Sequence, residues 1–370
     1  MRVLVIGTDR SIFDERSPAR KRIDAYAELF DELHVVVLTP PGLRASKVRA
    51  RLALYPTNSR NVFRRPFDAA SIGERIIRER GIGCISVQDP SESGFAGWLL
   101  KRRTRRELHI QMHTDILNRA FRRNSWKERI RYYLARFVIR RGDRFRVVSE
   151  RIRASLLAFG IPDGRIRVLS IFVDARAIAA ASPAFNLRER YPEFRRIVLV
   201  VARLVSEKNI PLALEVLMML LGECPDAGLV VVGDGPKRRD IEESIREWGL
   251  LKHVRMVGWQ EDLIPYYQGA DCYLLTSNFE GYGRSVVEAA ASGTPVVMTD
   301  VGVAGDIIRN GETGAVAPIG ESGALARALG RALRDGAAAR AMAARAKREV
   351  LARPPQTWDA YLARYRDSFR

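Results

Sequence analysis

The run Ile197-Val-Leu-Val-Val201 has no polar side chain at either parity. A strand with one wet face alternates apolar and polar residues. A strand with none is covered on both faces, as in a parallel sheet between layers of helices. Val3-Leu-Val-Ile6 reads the same way. Further strands are expected at His34 to Leu38, Cys84 to Val87, His109 to Met112, Phe145 to Val148 and near Arg167 to Leu169. A second series is expected at Gly228 to Val232, Val254 to Val257, Cys272 to Leu275 and Val296 to Met298. Helical patterns fall between them, near Arg20 to Phe30, Ser125 to Arg141, Ile210 to Leu221, Lys237 to Trp248, Leu263 to Gly269 and Val286 to Ser292. This alternation predicts an α/β chain of two doubly wound, Rossmann-like parallel-sheet domains facing a cleft, with ligands at the carboxyl ends of the strands. Ala175 to Glu193 lacks a strong period and contains Pro183 and Pro192, so the linker is expected there. The domains are drawn as 1–177 and 184–352, followed by a helix over 356–370.

Composition narrows the class. A length of 370 residues suits two domains of middling size, and no apolar run approaches a membrane span. Met1 to Gly7 reads as a short strand rather than a leader. The three cysteines, Cys84, Cys224 and Cys272, are far apart and lack metal-ligand spacing, so reduced thiols and a cytoplasmic location are expected. The net charge of +19 is lopsided: residues 1–183 hold 37 Lys and Arg against 19 Asp and Glu, and residues 184–370 hold 25 against 24. Either the composition is arginine-biased, or the first half meets a polyanion.

The segment Ser277-Asn-Phe-Glu280-Gly-Tyr-Gly283-Arg-Ser-Val-Val-Glu288 leaves a strand, crosses a glycine loop and enters a helix. Gly281 and Gly283 let backbone approach a ligand, and the helix N-terminus suits a phosphate. Carboxylates repel phosphate, so Glu280 and Glu288 are better acceptors for sugar or ribose hydroxyls. Glu288 has a second reading, since Ser285-x-x-Glu288 matches a capping box. Arg203, at a strand end, and Lys208, before a helix, offer a fork and a point charge that suit a diphosphate, or are solvated surface cations. In Val232-Gly233-Asp234-Gly-Pro236-Lys237, Asp234 is expected to cap the next helix and Gly233 to let a ligand near. Val257-Gly258-Trp259 is a strand end that could flank a nucleobase. In the first half His113, Asp9 and Asp89 lie just past strand ends, with Arg10 beside Asp9. There is no Walker loop, no His-Glu-x-x-His, no dinucleotide glycine motif after the first strand and no Asp-x-Asp pair, so no metal site is expected.

Taken in this order and spacing, these segments resemble the retaining glycosyltransferases of family 4, with the GT-B fold. The resemblance rests on Glu280-Gly-Tyr-Gly, Glu288-Ala-x-Ala-x-Gly-Thr-Pro-Val, Arg203, Lys208 and Val232-Gly-Asp-Gly-Pro. It is strong over about residues 196–320 and weaker through Gln88-Asp89-Pro90 and His113. It implies a nucleotide-diphosphate sugar, UDP- or GDP-linked, as donor, with no further cofactor. It implies that Arg203 and Lys208 grip the diphosphate, that Glu288 binds ribose, and that Glu280 holds the transferred sugar. The loop around Tyr282, Gly283, Arg284 and Ser285 would touch sugar and phosphate, and His113 would reach the sugar from the first domain. Asp9, Arg10 and Asp89 would face the acceptor, a glycan or lipid-linked molecule. The final helix, with Trp358, Tyr361, Tyr365 and Phe369, would cross back onto the first domain. Two departures are visible: the loop Gly7-Thr-Asp-Arg lacks the paired glycines many members carry, and Arg284 stands where leucine is usual.

Residues Arg119 to Arg146 hold eleven basic and two acidic residues. Trp126, Ile130, Tyr133, Leu134, Phe137 and Val138 form one helical stripe there. The stripe packs under the sheet with its charges solvated, or the charged face docks on an anionic membrane at the inner face. Nucleotide-sugar epimerase, sugar phosphorylase and a non-enzymatic polyanion binder are the competing readings. Nucleic acid is not expected as a partner, because no aromatic-basic readout motif accompanies the charge.

Overall fold

β1 (Arg2–Gly7) has no wet face: Val3, Leu4, Val5 and Ile6 are all buried. It belongs to a computed structural model that describes residues 1–49, 51–355 and 357–369. The chain divides into two compact units, Met1–Ser170 with Trp358–Arg370, and Ile171–Thr357.

In the first unit the strands after β1 are β2 (Glu32–Val37), β3 (Ser46–Arg49), β4 (Leu52–Pro56), β5 (Cys84–Val87), β6 (Glu107–Met112), β7 (Arg144–Val147) and β8 (Ile166–Val168). Its helices are α1 (Pro18–Ala27), α2 (Arg65–Arg80), α3 (Glu92–Thr104), α4 (Arg119–Asn124), α5 (Trp126–Ile139) and α6 (Glu150–Ala158). The sheet order is β3-β4-β2-β1-β5-β6-β7-β8, parallel except for the antiparallel edge strand β3. The β3–β4 pair is not legible as strands in the sequence. Leu52–Pro56 alternates buried and half-buried residues over only five positions and ends in proline.

The second unit repeats the plan. Its helices open with α7 (Ala175–Ala180), α8 (Leu187–Arg190), α9 (Ile210–Leu221), α10 (Arg238–Glu247) and α11 (Ile264–Gly269). They continue with α12 (Arg284–Ser292), α13 (Ser322–Arg334) and α14 (Gly336–Ala352). The strands are β9 (Arg196–Val201), β10 (Ala227–Val232), β11 (Val254–Gly258), β12 (Cys272–Leu275), β13 (Val296–Thr299) and β14 (Ala315–Ala317). The six strands run parallel in the order β11-β10-β9-β12-β13-β14. Val198, Val200, Leu229 and Val231 meet Leu214, Leu217 and Leu329 in the core on one face.

Two boundaries differ from the sequence reading. The units part between Ser170 and Ile171, not at 177. The expected linker over 175–193 lies inside the second unit and carries α7 and α8, capped by the Asp174 and Asn186 side chains. Helices of one or two turns are too short to show a period.

Helix α15 (Trp358–Asp367) belongs to the first unit. Gln356 and Arg370, at the limits drawn for this segment, lie outside the described residues. Tyr365 stacks on Tyr26 with ring centres 4.1 Å apart, and Phe369 lies 4.5 Å from the His109 ring. Beneath them is a buried cation. Arg146 donates to Gln111 Oε1 (2.9 Å), the Leu169 carbonyl (3.2 Å) and Tyr361 Oη (2.9 Å). Hydrogen bonds with no carboxylate among them make this a costly charge to bury. Losing the Tyr361 hydroxyl would raise that cost further, and in this way the end of the chain is linked to β7.

Candidate active site

In the second sheet the chain runs outward from β9 to β10 and β11, then returns to place β12 on the other side of β9. Loops after β9 and β12 must diverge there, and this reversal opens the crevice in which such sheets bind ligands. Arg203 and Lys208 follow β9, and Ser277 to Gly283 follow β12. Hydrogen bonds stitch the two loops: Thr276 Oγ1 donates to the Lys208 carbonyl (3.0 Å), the Asn278 amide to the Glu207 carbonyl (2.8 Å), and Asn209 Nδ2 to Asn278 Oδ1 (3.1 Å).

Two carboxylates stand in this crevice, and each holds a cation. Lys208 Nζ donates to Glu280 Oε1, which also accepts from Ser277 Oγ at 2.9 Å. Arg284 Nε donates to Glu288 Oε1 at 2.7 Å, and Tyr267 Oη donates to Glu288 Oε2 at 3.0 Å. The Glu280 and Glu288 side chains are 12% and 11% exposed, so both are shielded but reachable. Burial, and then the Glu288 charge, push the Tyr267 phenol well above its ordinary range, which keeps it a donor. Arg203 is 72% exposed and bonds Glu207 weakly at 3.4 Å.

The capping-box reading of Glu288 is incorrect. The N-cap of α12 is Gly283, in the left-handed region at φ +88°, and no side chain caps the helix. Ser285 lies inside the helix and accepts a 2.7 Å bond from Tyr273 Oη. Glu288 thus points to tertiary partners rather than back along its own chain, and the amides at the start of α12 are left to another acceptor.

Asp234 does not cap α10 either; its carboxylate accepts from the Gly235 amide at 2.7 Å, and Lys237 is the N-cap. Gly233 has a structural reason beyond ligand access. It sits at φ +131°, and a Cβ would lie 1.9 Å from the Ala202 carbonyl oxygen. Its amide bonds the Gly258 carbonyl at 2.8 Å, which joins the ends of β10 and β11. Val257 is half-buried there and Trp259 is 71% exposed at the sheet edge.

In the first unit the corresponding reversal lies between β1 and β5. Asp9, Arg10 and Asp89 follow those strands and His113 follows β6. The two aspartates do local work. Asp9 Oδ1 accepts from the Ser11 amide (3.0 Å) and hydroxyl (2.6 Å), capping the short turn that holds Arg10. Asp89 accepts from the Ser91 amide at 2.7 Å, from the Ser91 hydroxyl and from the Ser93 hydroxyl, which braces the start of α3. Burial raises its pKa, against the pull of both serines. These three local bonds fix the orientation of the Asp89 carboxylate, which has about four acceptor sites in all. Arg10 and His113 are exposed.

Sequence reasoning missed Tyr267, Ser277 and Tyr273. The only signal for Tyr267 was its place in a short helix before β12; for Ser277 it was a hydroxyl three residues before Glu280.

Structures solved for other proteins share this fold along nearly the whole chain. Anabaena HepE in complex with UDP superposes with a TM-score of 0.73 at 18% identity, covering 99% of this chain and 98% of that one. Sucrose-phosphate synthase from Thermosynechococcus elongatus superposes at 0.78 and 20% identity, covering 99% and 97%. Two parallel-sheet α/β domains with these neighbours define the GT-B glycosyltransferase fold. Residues 19–171 match the glycosyl transferase 4-like domain and residues 186–349 match glycosyl transferases group 1. The chain belongs to the group 1, 4-like glycosyltransferases. The lipopolysaccharide core biosynthesis glycosyltransferase LpsE of Rhizobium meliloti is 29% identical over 46% of this chain and 48% of its own length. The 2-deoxystreptamine glucosyltransferase of Streptomyces kanamyceticus is 33% identical over 54% of each. The chain spans about half the length of these curated relatives.

Proposed function

We propose that this chain is a retaining, metal-independent family 4 glycosyltransferase that moves a sugar from a UDP- or GDP-sugar to a glycan or lipid-linked acceptor. The observation that carries the reading is the pair of shielded carboxylates, Glu280 and Glu288, each held by a cation beside the uncapped start of α12. Hydroxyls suit the carboxylates and a diphosphate suits the cations and the helix end.

Lys208 and Arg203 take up the charge that grows on the leaving diphosphate, which makes a metal unnecessary. Glu280 holds the sugar being transferred, and Glu288 holds the ribose. The backbone from Gly281 through Ser285 borders the sugar and phosphates. Val257, Gly258 and Trp259 flank the base. Two strand spacings separate β9 from β11, roughly 10 Å, in keeping with the reach from a diphosphate to its base. His113 keeps the role toward the sugar, and Asp9, Arg10 and Asp89 the roles toward the acceptor, that the family resemblance implies. Retention follows if the acceptor enters on the face the diphosphate leaves. A cytoplasmic location is supported by three free, buried thiols.

The test is a thermal-shift and product screen with UDP-, GDP- and ADP-sugars, in chelator, with the anomer read by NMR. A single preferred nucleotide and a retained anomer are expected. An inverted product, or activity that dies in chelator, overturns the corresponding part.

A further inference from the structure

Helix α5 covers only half of its apolar stripe. Ala135, Val138 and Ile139 are buried, while Trp126, Ile130 and Tyr133 are 69%, 57% and 55% exposed. Trp126 and Tyr133 line an open depression of about 570 Å³ with Arg122, Arg123 and Arg129. A second uncovered group stands at the start of α2: Val62, Phe63 and Phe67 are 55%, 86% and 51% exposed. The two groups are related through the fold. Helices that join parallel strands run against them, so the first turns of α2 and α5 both lie at the carboxyl edge of the sheet. Helices α2, α3 and α5 are joined by ring contacts, with Phe67 edge-on to Phe95 at 5.8 Å, Phe95 tilted against Trp98 at 5.3 Å, and Trp98 edge-on to Phe137 at 4.8 Å. Two acids on this rim are engaged, since Arg131 pairs with Glu92 at 2.8 Å and with Glu128 at 3.8 Å, and Asp68 in the first turn of α2 adds one negative charge beside Phe67.

We propose that this edge of the first unit docks on a phospholipid surface rich in anionic headgroups. Trp126, Ile130, Tyr133, Val62, Phe63 and Phe67 seat at headgroup level, and Arg122, Arg123 and Arg129 take the phosphates. Tryptophan and tyrosine favour that interface, and guanidinium forks match phosphate oxygens. The excess charge on residues 1–183 supplies the long-range attraction. A membrane fits better than a nucleic acid, because Val62 and Ile130 are branched aliphatics with nothing to offer a base edge. The inference does not depend on the donor chemistry. It places the strand ends that would receive a lipid-linked acceptor against the surface that holds one.

The experiment is co-sedimentation of the full chain with phosphatidylcholine vesicles and with vesicles that also contain phosphatidylglycerol, at low and high salt. Anionic vesicles should bind at least about tenfold more tightly, and salt should weaken them. Replacing Arg122, Arg123 and Arg129 together with Gln should cost roughly a hundredfold, at about fivefold for each basic residue. Trp126→Phe should remove part of the blue shift in tryptophan emission on anionic vesicles. Arg123, Trp126 and Arg129 are exposed and Arg122 is half-buried over the Tyr132 ring, so an unchanged melting temperature checks the fold. Equal binding to both vesicle types, no effect of the triple substitution, or an emission shift unaltered by Trp126→Phe overturns the proposal. So does single-stranded RNA that displaces the vesicles.

Discussion

Arg284 and Glu288 face each other one turn apart on α12, with Nε 2.7 Å from Oε1. The pair is badly oriented for its helix. A cation in the first turn opposes the helix dipole, and helical ion pairs prefer the acid on the N-terminal side. It therefore contributes little to α12, and its role is to hold the Glu288 carboxylate in place.

A diphosphate near the start of α12 competes for Arg284. Arg284→Leu is expected to weaken a nucleoside diphosphate by roughly tenfold, the loss of one charge-assisted bond. The matching nucleoside, which needs only Glu288, should bind as well or better. Calorimetric titration with both ligands checks this. Parallel losses would show that Arg284 does not meet the phosphates.

Tyr267→Phe removes a donor from Glu288 and almost no volume. Donor affinity is expected to drop by about 1.5–3 kcal/mol, the usual worth of a bond to a charged group, if ribose binding needs Glu288 held in place. A Km rise with little change in kcat is the expected pattern in steady-state kinetics. A pure kcat effect would assign Tyr267 to the chemistry instead.

Lys208→Ala leaves Glu280 with Ser277 alone among the partners described for it above. The turnover number should fall by about 100- to 1000-fold, as when one preorganised donor to a growing charge is lost. Stability should fall by about 1–3 kcal/mol, less than for a deeply buried pair, because Lys208 is 22% exposed. Adding Glu280→Gln should restore stability but not turnover. Full activity in the single variant would remove Lys208 and Glu280 from the site.

Gly233→Ala is expected to destabilise the second unit by about 3 kcal/mol or more, since the left-handed backbone and the Ala202 carbonyl both exclude a side chain. Denaturant titration measures it. A loss below about 1 kcal/mol would mean that the β9 and β10 ends shift apart easily.

Acid should unfold the first unit partly through His109. Burial, with Arg146 and Arg144 nearby, lowers its pKa from 6.5 to about 3. The unfolded chain binds a proton as the pH drops through 6.5, whereas the folded chain resists until about 3. The stability is complete above 6.5 and is lost on acidification, by about 2 kcal/mol at pH 5. His109→Gln, which can still bond Ser86, should flatten the slope of stability between pH 5 and 6.5. An unchanged slope would mean that other groups control it.

Much of the fold is legible because strands covered on both faces must be apolar throughout. Cys84–Val87, Ile210–Leu221 and Cys272–Leu275 emerge with the bounds the sequence suggests. α2 and α3 do not, and α3 shows why. Gly94 and Gly97 weaken its helical signal, yet a Cβ at Gly97 would stand 2.5 Å from Val87 and 2.7 Å from Leu108. Gly97 lets the helix lie close on the sheet, and Gly94 makes room for the Asp89 carbonyl and for Val138 of α5, reasons visible only once those neighbours are in place. The apolar stripe of α5 has the opposite history: its period is plain, but which half would be covered depended on its neighbours.

The sequence by itself determined the alternation of strands and helices and brought Arg203, Lys208, Glu280 and Glu288 forward as candidates, because period and charge are local properties. Tertiary structure decided what those residues touch. Ser285 and Glu288 carry a capping pattern, but α12 folded back on β12 brings Tyr273 to Ser285, and α11 packed on α12 brings Tyr267 to Glu288. The reversal of strand order at β9 and β12 sets Lys208 on Glu280, seventy-two residues away. No local rule reaches that far, since the partners of a side chain are chosen by the packing that surrounds it.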